Sequence, residues 1–343
     1  MIADTSAPEA LGSKLVRGAE AIGLRVGHDL KITYTSPAPQ FSQSMQRLRG
    51  KLFYRLADRR SWEWWGFQRR LLDQIRTLRP KLVLVTGVLP LHPSVMNKIK
   101  EEGGRIANYL TDDPWNPIHR RRSFLRNLHL YDHIFSTKQA LRGQLEKAGT
   151  PSTSWLPFAY DPALHHPPIQ SSALPAADVL FIGTGASERL PWLLALQDLP
   201  GVQCRIHGNS WERLGTPGWD RRPAVTGEDY CSAMHSAGIA LGLLREANGD
   251  LSTDRSYEIG AIGGCGLYQD SLEHRALLAH YPDEGFFSSP PQLRERVQHL
   301  LENPGLRKKL RELGTQALRR PEHTYAARLQ TMLQWSDQFA FKR

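Results

Sequence analysis

The residues best suited to chemistry lie in one stretch, Asp250–Gly266, which reads Asp-Leu-Ser-Thr-Asp-Arg-Ser-Tyr-Glu-Ile-Gly-Ala-Ile-Gly-Gly-Cys-Gly. Ser/Thr/Asp cap candidates open it and glycines close it, so it reads as a short helix bounded at both ends. The apolar run Ile239–Leu244 before it reads as a buried strand. In α/β sheets the loop between a strand and its following helix lies outside the carboxyl edge, where ligands bind. The unpartnered amides of a helix start, here near Ser256, favour an anion, and Arg255 adds a cation beside them. Glu258, one turn into the helix, has the chemistry to accept hydrogen bonds from a pair of sugar hydroxyls. Asp250 stands eight residues before it. The plainer reading is a capped helix with a surface Arg and Glu.

Two other segments carry usable chemistry. After the strand Asp178–Ile182 comes Gly183-Thr184-Gly185-Ala186-Ser187-Glu188-Arg189, a glycine turn whose backbone amides suit close approach to a diphosphate. Gly-x-Gly alone is a weak signal. After the strand Arg105–Leu110 comes Thr111-Asp112-Asp113-Pro114-Trp115-Asn116. Paired acids, an aromatic and an Asn at a strand's carboxyl edge suit a sugar-facing site, and equally an Asx turn stopped by Pro114. His92 lies in the loop after the strand Lys81–Thr86, and His207 closes the strand Val202–Ile206.

The elements that must position these groups alternate. Lys81–Thr86, a helix over Ser94–Glu102 and Arg105–Leu110 form a βαβ unit of a parallel sheet. A helix near Ile118–Leu128, the strand Tyr131–Ser136 and a helix over Lys138–Gly149 continue it. Trp155–Pro162 and the prolines Pro157, Pro162, Pro167 and Pro168 then interrupt the pattern. Beyond them follow a helix Leu190–Leu196, a helix Glu228–Ala237, the central stretch, and helices over Pro291–Leu301 and Leu306–Leu318. Residues 1–46 are weakly patterned: Leu11–Gly23 reads as a helix, Leu30–Tyr34 as a strand, Pro37–Pro39 as a turn. No opening apolar strand with a glycine turn is found. Residues 47–79 read as amphipathic helix, with Leu48, Leu52, Phe53 and Leu56 on one face. Trp62, Trp64, Trp65, Phe67, Leu71, Leu72 and Ile75 follow, interleaved with Arg59, Arg60, Arg69 and Arg70. A core-facing aromatic stripe with solvated arginines is favoured, with membrane-surface docking as the minority reading.

A chain of 343 residues is too long for one ordinary core, and two domains are the default. No apolar run approaches the ~20 residues of a membrane span. The first thirty residues lack a signal pattern, which points to the cytoplasm. Cys204, Cys231 and Cys265 have no metal or redox spacing and read as buried small apolar groups. Residues 1–157 hold 25 Lys+Arg against 13 Asp+Glu, and residues 158–343 hold 19 against 21. The basic half suits an anionic or membrane-surface partner, its excess gathering around the mouth of an interdomain cleft or on the Arg59–Arg70 segment. A well-solvated basic surface is the plainer alternative.

An acid, seven residues, Glu, then small residues and Gly resembles the nucleotide-sugar motif of glycosyltransferases with the two-domain GT-B fold. The segment is more closely similar to the CgeB-like, spore-maturation branch of the group 1 enzymes. The Asp-Asp-Pro segment, a Leu156-Pro157…Asp161 hinge, the glycine turn with Glu188-Arg189 and the His323-Thr324-Tyr325-Ala326-Ala327-Arg328 run resemble that family in the same order. The likeness covers about residues 80–335 and is weak before 80. It implies an α/β protein of two Rossmann-like domains facing a cleft, with a terminal helix crossing back to the first. Residues 1–157 would form the acceptor side and 158–343 the nucleotide-sugar side. It implies a donor site of Gly183, Gly185, Arg189, His207, Asp250, Arg255, Ser256 and Glu258, with Glu258 on the ribose and Arg255 on the diphosphate. The chain departs from the pattern at Asp250, where the family has Glu.

The expectation is therefore a glycosyltransferase using a nucleotide-diphosphate sugar, with no metal and no further cofactor. Its acceptor would be a glycan, protein or lipid-linked group, with peripheral contact at the inner membrane surface and no nucleic acid. If transfer inverts the sugar, a base must deprotonate the acceptor; Asp113 is the first choice, then Asp112 and His92. The rival readings are a catalytically silent GT-B-like module that binds a nucleotide or glycan, and a basic membrane- or nucleic-acid-associated protein.

Overall fold

The computed structural model describes residues 1–3, 5–35, 63–169 and 176–338, together with 52, 56 and 58. The chain divides into two compact units, Met1–Pro157 with Ala326–Arg343, and Phe158–Tyr325. Each is built on one parallel sheet of six strands.

The sheet of the first unit comprises β1 (Ile2–Ala3), β2 (Thr33–Tyr34), β3 (Leu82–Thr86), β4 (Arg105–Leu110), β5 (His133–Ser136) and β6 (Thr153–Trp155). Its order is β2-β1-β3-β4-β5-β6, and every neighbouring pair is parallel. An opening strand thus exists where the sequence showed none. It has two residues, Ile2 paired with both Thr33 and Val85, too few to display a period. Helix α1 (Leu11–Ala21) follows without a glycine turn. Gly12 lets it lie close: a Cβ there would stand 2.4 Å from that of Ala3.

Helix α2 (Glu63–Leu78) buries Trp64, Phe67, Leu71 and Ile75 and leaves Arg69 and Arg70 exposed, so most of its apolar stripe is core, while Trp65 is exposed and Leu72 half-buried. Leu52 and Leu56 are exposed. The expected turn at Pro37–Pro39 and the residues Leu48, Phe53, Arg59, Arg60 and Trp62 lie outside the described residues. Helix α3 (Pro93–Glu101) matches its expectation within a residue. Two others are shorter than expected. Residues 111–121 are turns held by Asp113 and Asn116, so α4 spans only Arg122–Arg126. The helix expected over 138–149 is a 3-10 turn, Gln139–Leu141, followed by α5 (Arg142–Lys147).

The second unit holds β7 (Val179–Ile182), β8 (Cys204–His207), β9 (Trp219–Arg222), β10 (Ile239–Gly242), β11 (Gly266–Gln269) and β12 (Phe286–Phe287). Their order is β12-β11-β10-β7-β8-β9, again all parallel. Strands β7, β8, β10 and β11 are buried throughout, because parallel sheets are covered on both faces. The helices are α6 (Leu190–Leu194), α7 (Gly227–Ser236), α8 (Asp254–Ile262), α9 (Leu272–Leu277), α10 (Pro290–Glu302) and α11 (Pro304–Leu318). The order reverses between β7 and β10, the place where doubly wound sheets take ligands. The last helix, α12 (Tyr325–Gln338), groups from Ala326 with the first unit, where Trp335 packs on His133 and Phe135. Arg328 there donates to the Pro157 carbonyl at 2.9 Å. Among the described residues no helix is long and apolar enough to cross a membrane.

Candidate functional site

The central stretch folds as expected, as a short helix starting at the carboxyl edge of the second sheet. Thr253 caps α8 in a reciprocal capping box with Ser256, whose hydroxyl accepts from the Thr253 amide at 2.8 Å. The same hydroxyl lies 2.6 Å from Nε2 of the buried His274. Ser256 is therefore turned into the fold, and its side chain is a capping group. The small residues after Glu258 serve packing. A Cβ on Gly260 would meet Leu318 Cδ1 at 2.5 Å and the Gly314 carbonyl oxygen at 2.6 Å, so α8 and α11 approach almost backbone to backbone.

Arg255 reaches back across the sheet edge. Its Nε donates to the carbonyl of Ile182, the last residue of β7, at 3.1 Å, and Nη1 donates to Glu258 Oε2. The guanidinium lies over the Tyr230 ring, 5.0 Å from its centroid, a cation–π contact. Burial opposes its charge, but the Glu258 carboxylate and its neighbours outweigh burial, and the group titrates above its ordinary value. Its side chain keeps 31% exposure, against 1% for Glu258. Both Glu258 oxygens are already engaged: Oε2 also accepts from the Tyr230 hydroxyl at 2.7 Å, and Oε1 lies 3.1 Å from His165 Nε2. The expectation that Glu258 offers itself to a ribose meets a buried carboxylate that already accepts from Arg255 and Tyr230 and lies beside His165. Asp250 is buried and accepts from the Asn248 amide at 3.0 Å, fixing the loop between β10 and α8.

The glycine turn after β7 has a different use from the one expected. The Gly183 and Gly185 amides donate to the carbonyls of His207 and Asn209 at 2.9 and 2.8 Å, so neither is offered to a phosphate. A Cβ on Gly185 would meet the Ser210 carbonyl oxygen at 2.5 Å, and one on Gly208 the Gly183 oxygen at 2.0 Å. These glycines let two loops lie against each other. The amides of Thr184 and Ala186 in the same turn have no partner among the described residues.

Two buried side chains beside this turn are incompletely satisfied. Arg189 donates Nη1 to the Thr184 carbonyl at 2.7 Å and lies over Phe181, yet its Nε has no hydrogen-bond partner among the described residues. Burial, then the charge of Arg245, lowers its pKa to about 10, with Arg255 adding to that and Glu188 and Asp250 opposing it. The Glu188 carboxylate accepts from the Ala247 amide at 2.7 Å, tying the β7 loop to the β10 loop. His207 lies 3.0 Å from the Pro223 carbonyl through Nδ1, while its buried Nε2 has no partner among the described residues. Burial lowers its pKa, which keeps it neutral. Buried polar groups are normally paired, and an unpartnered guanidinium N–H beside two further arginines suits an anionic oxygen.

The first-unit candidates are placed as follows. Asp113 Oδ1 accepts from the Trp115 amide at 2.8 Å, the Asx turn that the sequence left open. Asp112 accepts from the Thr111 hydroxyl and stands 3.4 Å from His119 Nε2. Both acids sit in the loop after β4, not on the strand. His92 is the N-cap of α3, its Nδ1 accepting from the Ser94 amide at 3.2 Å. Sequence reasoning missed His119, Tyr230 and His165. No spacing rule points to them, since their partners lie on other elements or across a turn. Burial, led by desolvation, raises the thiols of Cys204, Cys231 and Cys265, as expected of inert core cysteines.

Comparison with known proteins bears on the fold. No curated protein matches the chain. Among solved structures, it is similar to sucrose-phosphate synthase from Thermosynechococcus elongatus, with a TM-score of 0.66 at 13% identity over 100% of this chain and 98% of that one. The trehalose-6-phosphate synthase OtsA gives 0.62 at 12% identity, over 98% of both chains. T4 phage BGT, solved in complex with its UDP-glucose substrate, gives 0.57 at 14% identity, over 98% of both. Residues 189–334 match the family model described as Glycosyl transferase-like. The chain has the GT-B fold and carries a glycosyltransferase-like domain over residues 189–334.

Proposed function

We propose that the protein transfers a sugar from a nucleotide-diphosphate sugar, and that Arg255 and Arg189 hold the donor diphosphate. The observation that carries this is the pairing of a part-exposed guanidinium with a buried one whose Nε has no partner among the described residues, beside the carboxyl end of β7. The Thr184 and Ala186 amides add donors to the same turn. Stabilising the leaving diphosphate is the main electrostatic demand of such a transfer, and arginines meet it without a metal. The family match over 189–334 and the UDP-glucose held by T4 phage BGT favour the same ligand class. We place the chain nearest the CgeB-like branch, on the resemblance of Asp250–Gly266.

Glu258 then acts first as the counter-ion that orients Arg255. It takes a ribose hydroxyl only if the His165 contact yields. Should transfer invert the sugar, His119 backed by Asp112 has the base-plus-carboxylate arrangement, whereas Asp113 is committed to its turn. The acceptor, a glycan, protein or lipid-linked group, is taken to engage the basic first unit, with peripheral membrane contact as one route. The rival, a silent GT-B-like binding module, shares every feature of the donor site. Thermal shift with UDP, GDP, dTDP and CDP tests the site, because only a real binder stabilises by mass action. Release of nucleoside diphosphate from a matching sugar nucleotide separates enzyme from silent module. No shift with any of the four refutes the assignment.

A further inference from the structure

We propose that His165 is a positioning residue of this site, holding the Glu258–Arg255 pair through Oε1 of the Glu258 carboxylate; the proposal rests on the nucleotide-sugar reading. His165 lies upstream of β7, in the Pro-rich segment that begins the second unit. The segment makes its own rigid turn. The amides of Leu164 and His165 donate to the Asp161 carbonyl at 3.0 and 2.8 Å, and the Ala163 amide donates to Asp161 Oδ1 at 3.0 Å. The thiol of Cys231 on α7 donates to the Leu164 carbonyl. The imidazole folds back on this turn, and its Nδ1 accepts from the Asp161 amide at 3.0 Å.

That last bond decides the ring's protonation pattern. A nitrogen accepting from a backbone amide carries no proton, so the neutral ring holds its proton on Nε2. Nε2 stands 3.1 Å from Glu258 Oε1, with both side chains buried. The ring also meets Tyr230 edge to face at 5.8 Å, and Tyr230 donates to the other carboxylate oxygen. Glu258 is thereby fixed from both sides: His165 on Oε1, Tyr230 and Arg255 on Oε2. The terminal torsion of a glutamate is broad and soft on its own. Without the Nε2–H, Oε1 loses this contact, and any rotation of the carboxylate carries Nη1 of Arg255 with it. Arg255 is the member of this network that retains exposure toward a ligand, so the loss appears as misdirected phosphate binding.

The test separates the turn from the bond. His165→Asn retains an acceptor near Nδ1 for the Asp161 amide and removes the donor to Glu258. His165→Gln carries an amide donor near the Nε2 position. Wild type and both variants are titrated calorimetrically with UDP, GDP, dTDP and CDP, and with the nucleoside of whichever diphosphate binds most tightly. The expected result is an about tenfold weaker diphosphate in His165→Asn, as a charge-assisted bond acting through one intermediary implies. Affinity should recover toward wild type in His165→Gln, and the nucleoside should bind equally in all three. Equal diphosphate affinity in wild type and His165→Asn overturns the proposal, as does equal weakening in Asn and Gln, which marks a purely structural role. A wild type that binds none of the four overturns the underlying site assignment and the positioning role with it. Nitrogen-15 NMR of the unliganded wild type gives a second readout that needs no variant to fold: an Nε2–H tautomer supports the arrangement, and an Nδ1–H tautomer overturns it.

Discussion

Removing one charge from the Arg255–Glu258 pair gives the most discriminating measurement. Glu258 is fully buried and Arg255 is not, so the two single variants are unequal. Arg255→Ala strands a buried carboxylate, and breaking a buried pair in that way costs about 3–5 kcal/mol. The Tyr230 hydroxyl still donates to it and His165 Nε2 still stands 3.1 Å from it, which places the expected loss at the lower end, about 3 kcal/mol. Glu258→Gln strands a guanidinium that retains solvent and its bond to the Ile182 carbonyl, so about 1–2 kcal/mol is expected. For a unit of this size each kcal/mol moves the midpoint by roughly 2–4 °C, giving drops of about 6–12 °C and 2–8 °C. In the double variant no charge is stranded, so its loss should fall short of the sum by more than about 1 kcal/mol. Thermal unfolding of the four proteins, each titrated with UDP and uridine, completes the cycle. Arg255→Ala should weaken the diphosphate about ten- to a hundredfold and leave the nucleoside unchanged. Additive stabilities would refute the pair as a coupled unit, and equal diphosphate affinity across the cycle would refute Arg255 as its ligand.

Acid should loosen both units. Burial lowers the pKa of His133 and of His274 to about 4, so each is neutral in the fold and titrates near 6.5 when unfolded. The stability they support is complete above about pH 6.5 and lost as pH falls toward 4, on the order of 3 kcal/mol each. Equal midpoints at pH 7 and pH 5 in His133→Gln and wild type would contradict this for the contact with Trp335. Gly260→Ala should cost at least about 1–3 kcal/mol by overpacking against Gly314 and Leu318, and an unchanged denaturation midpoint would show that α8 and α11 can part. Where product analysis shows inversion, His119→Ala should lower kcat about a hundredfold or more, with Asp113→Asn milder unless its turn fails. The reverse ranking would return the base to Asp113.

Much of the architecture was legible because it rests on local rules. Buried parallel strands appear as apolar runs, such as Ile239–Gly242 and Leu82–Thr86, and the prolines around Pro157 mark the boundary between units. The short helix over Asp254–Ile262 was legible from the Ser/Thr/Asp candidates before it and the glycines that end it, although its first residue is Asp254 and the sequence reading set its start near Ser256. The two-residue β1 was not, since its assignment depends on pairing with Thr33 and Val85, far along the chain. The site divides in the same way. Residue types and order marked Arg255, Glu258 and Arg189 as a charged group at a sheet edge. Which atoms face a ligand was decided by tertiary contacts: Glu258 is enclosed by Tyr230 and His165, the Gly183 and Gly185 amides are taken by the β8 loop, and Ser256 is bound to His274. Hydrogen-bond capacity is written in the side chain, but whether it is left over for a ligand depends on partners brought from up to 93 residues away in sequence, as from His165 to Glu258, and only the packed fold supplies those.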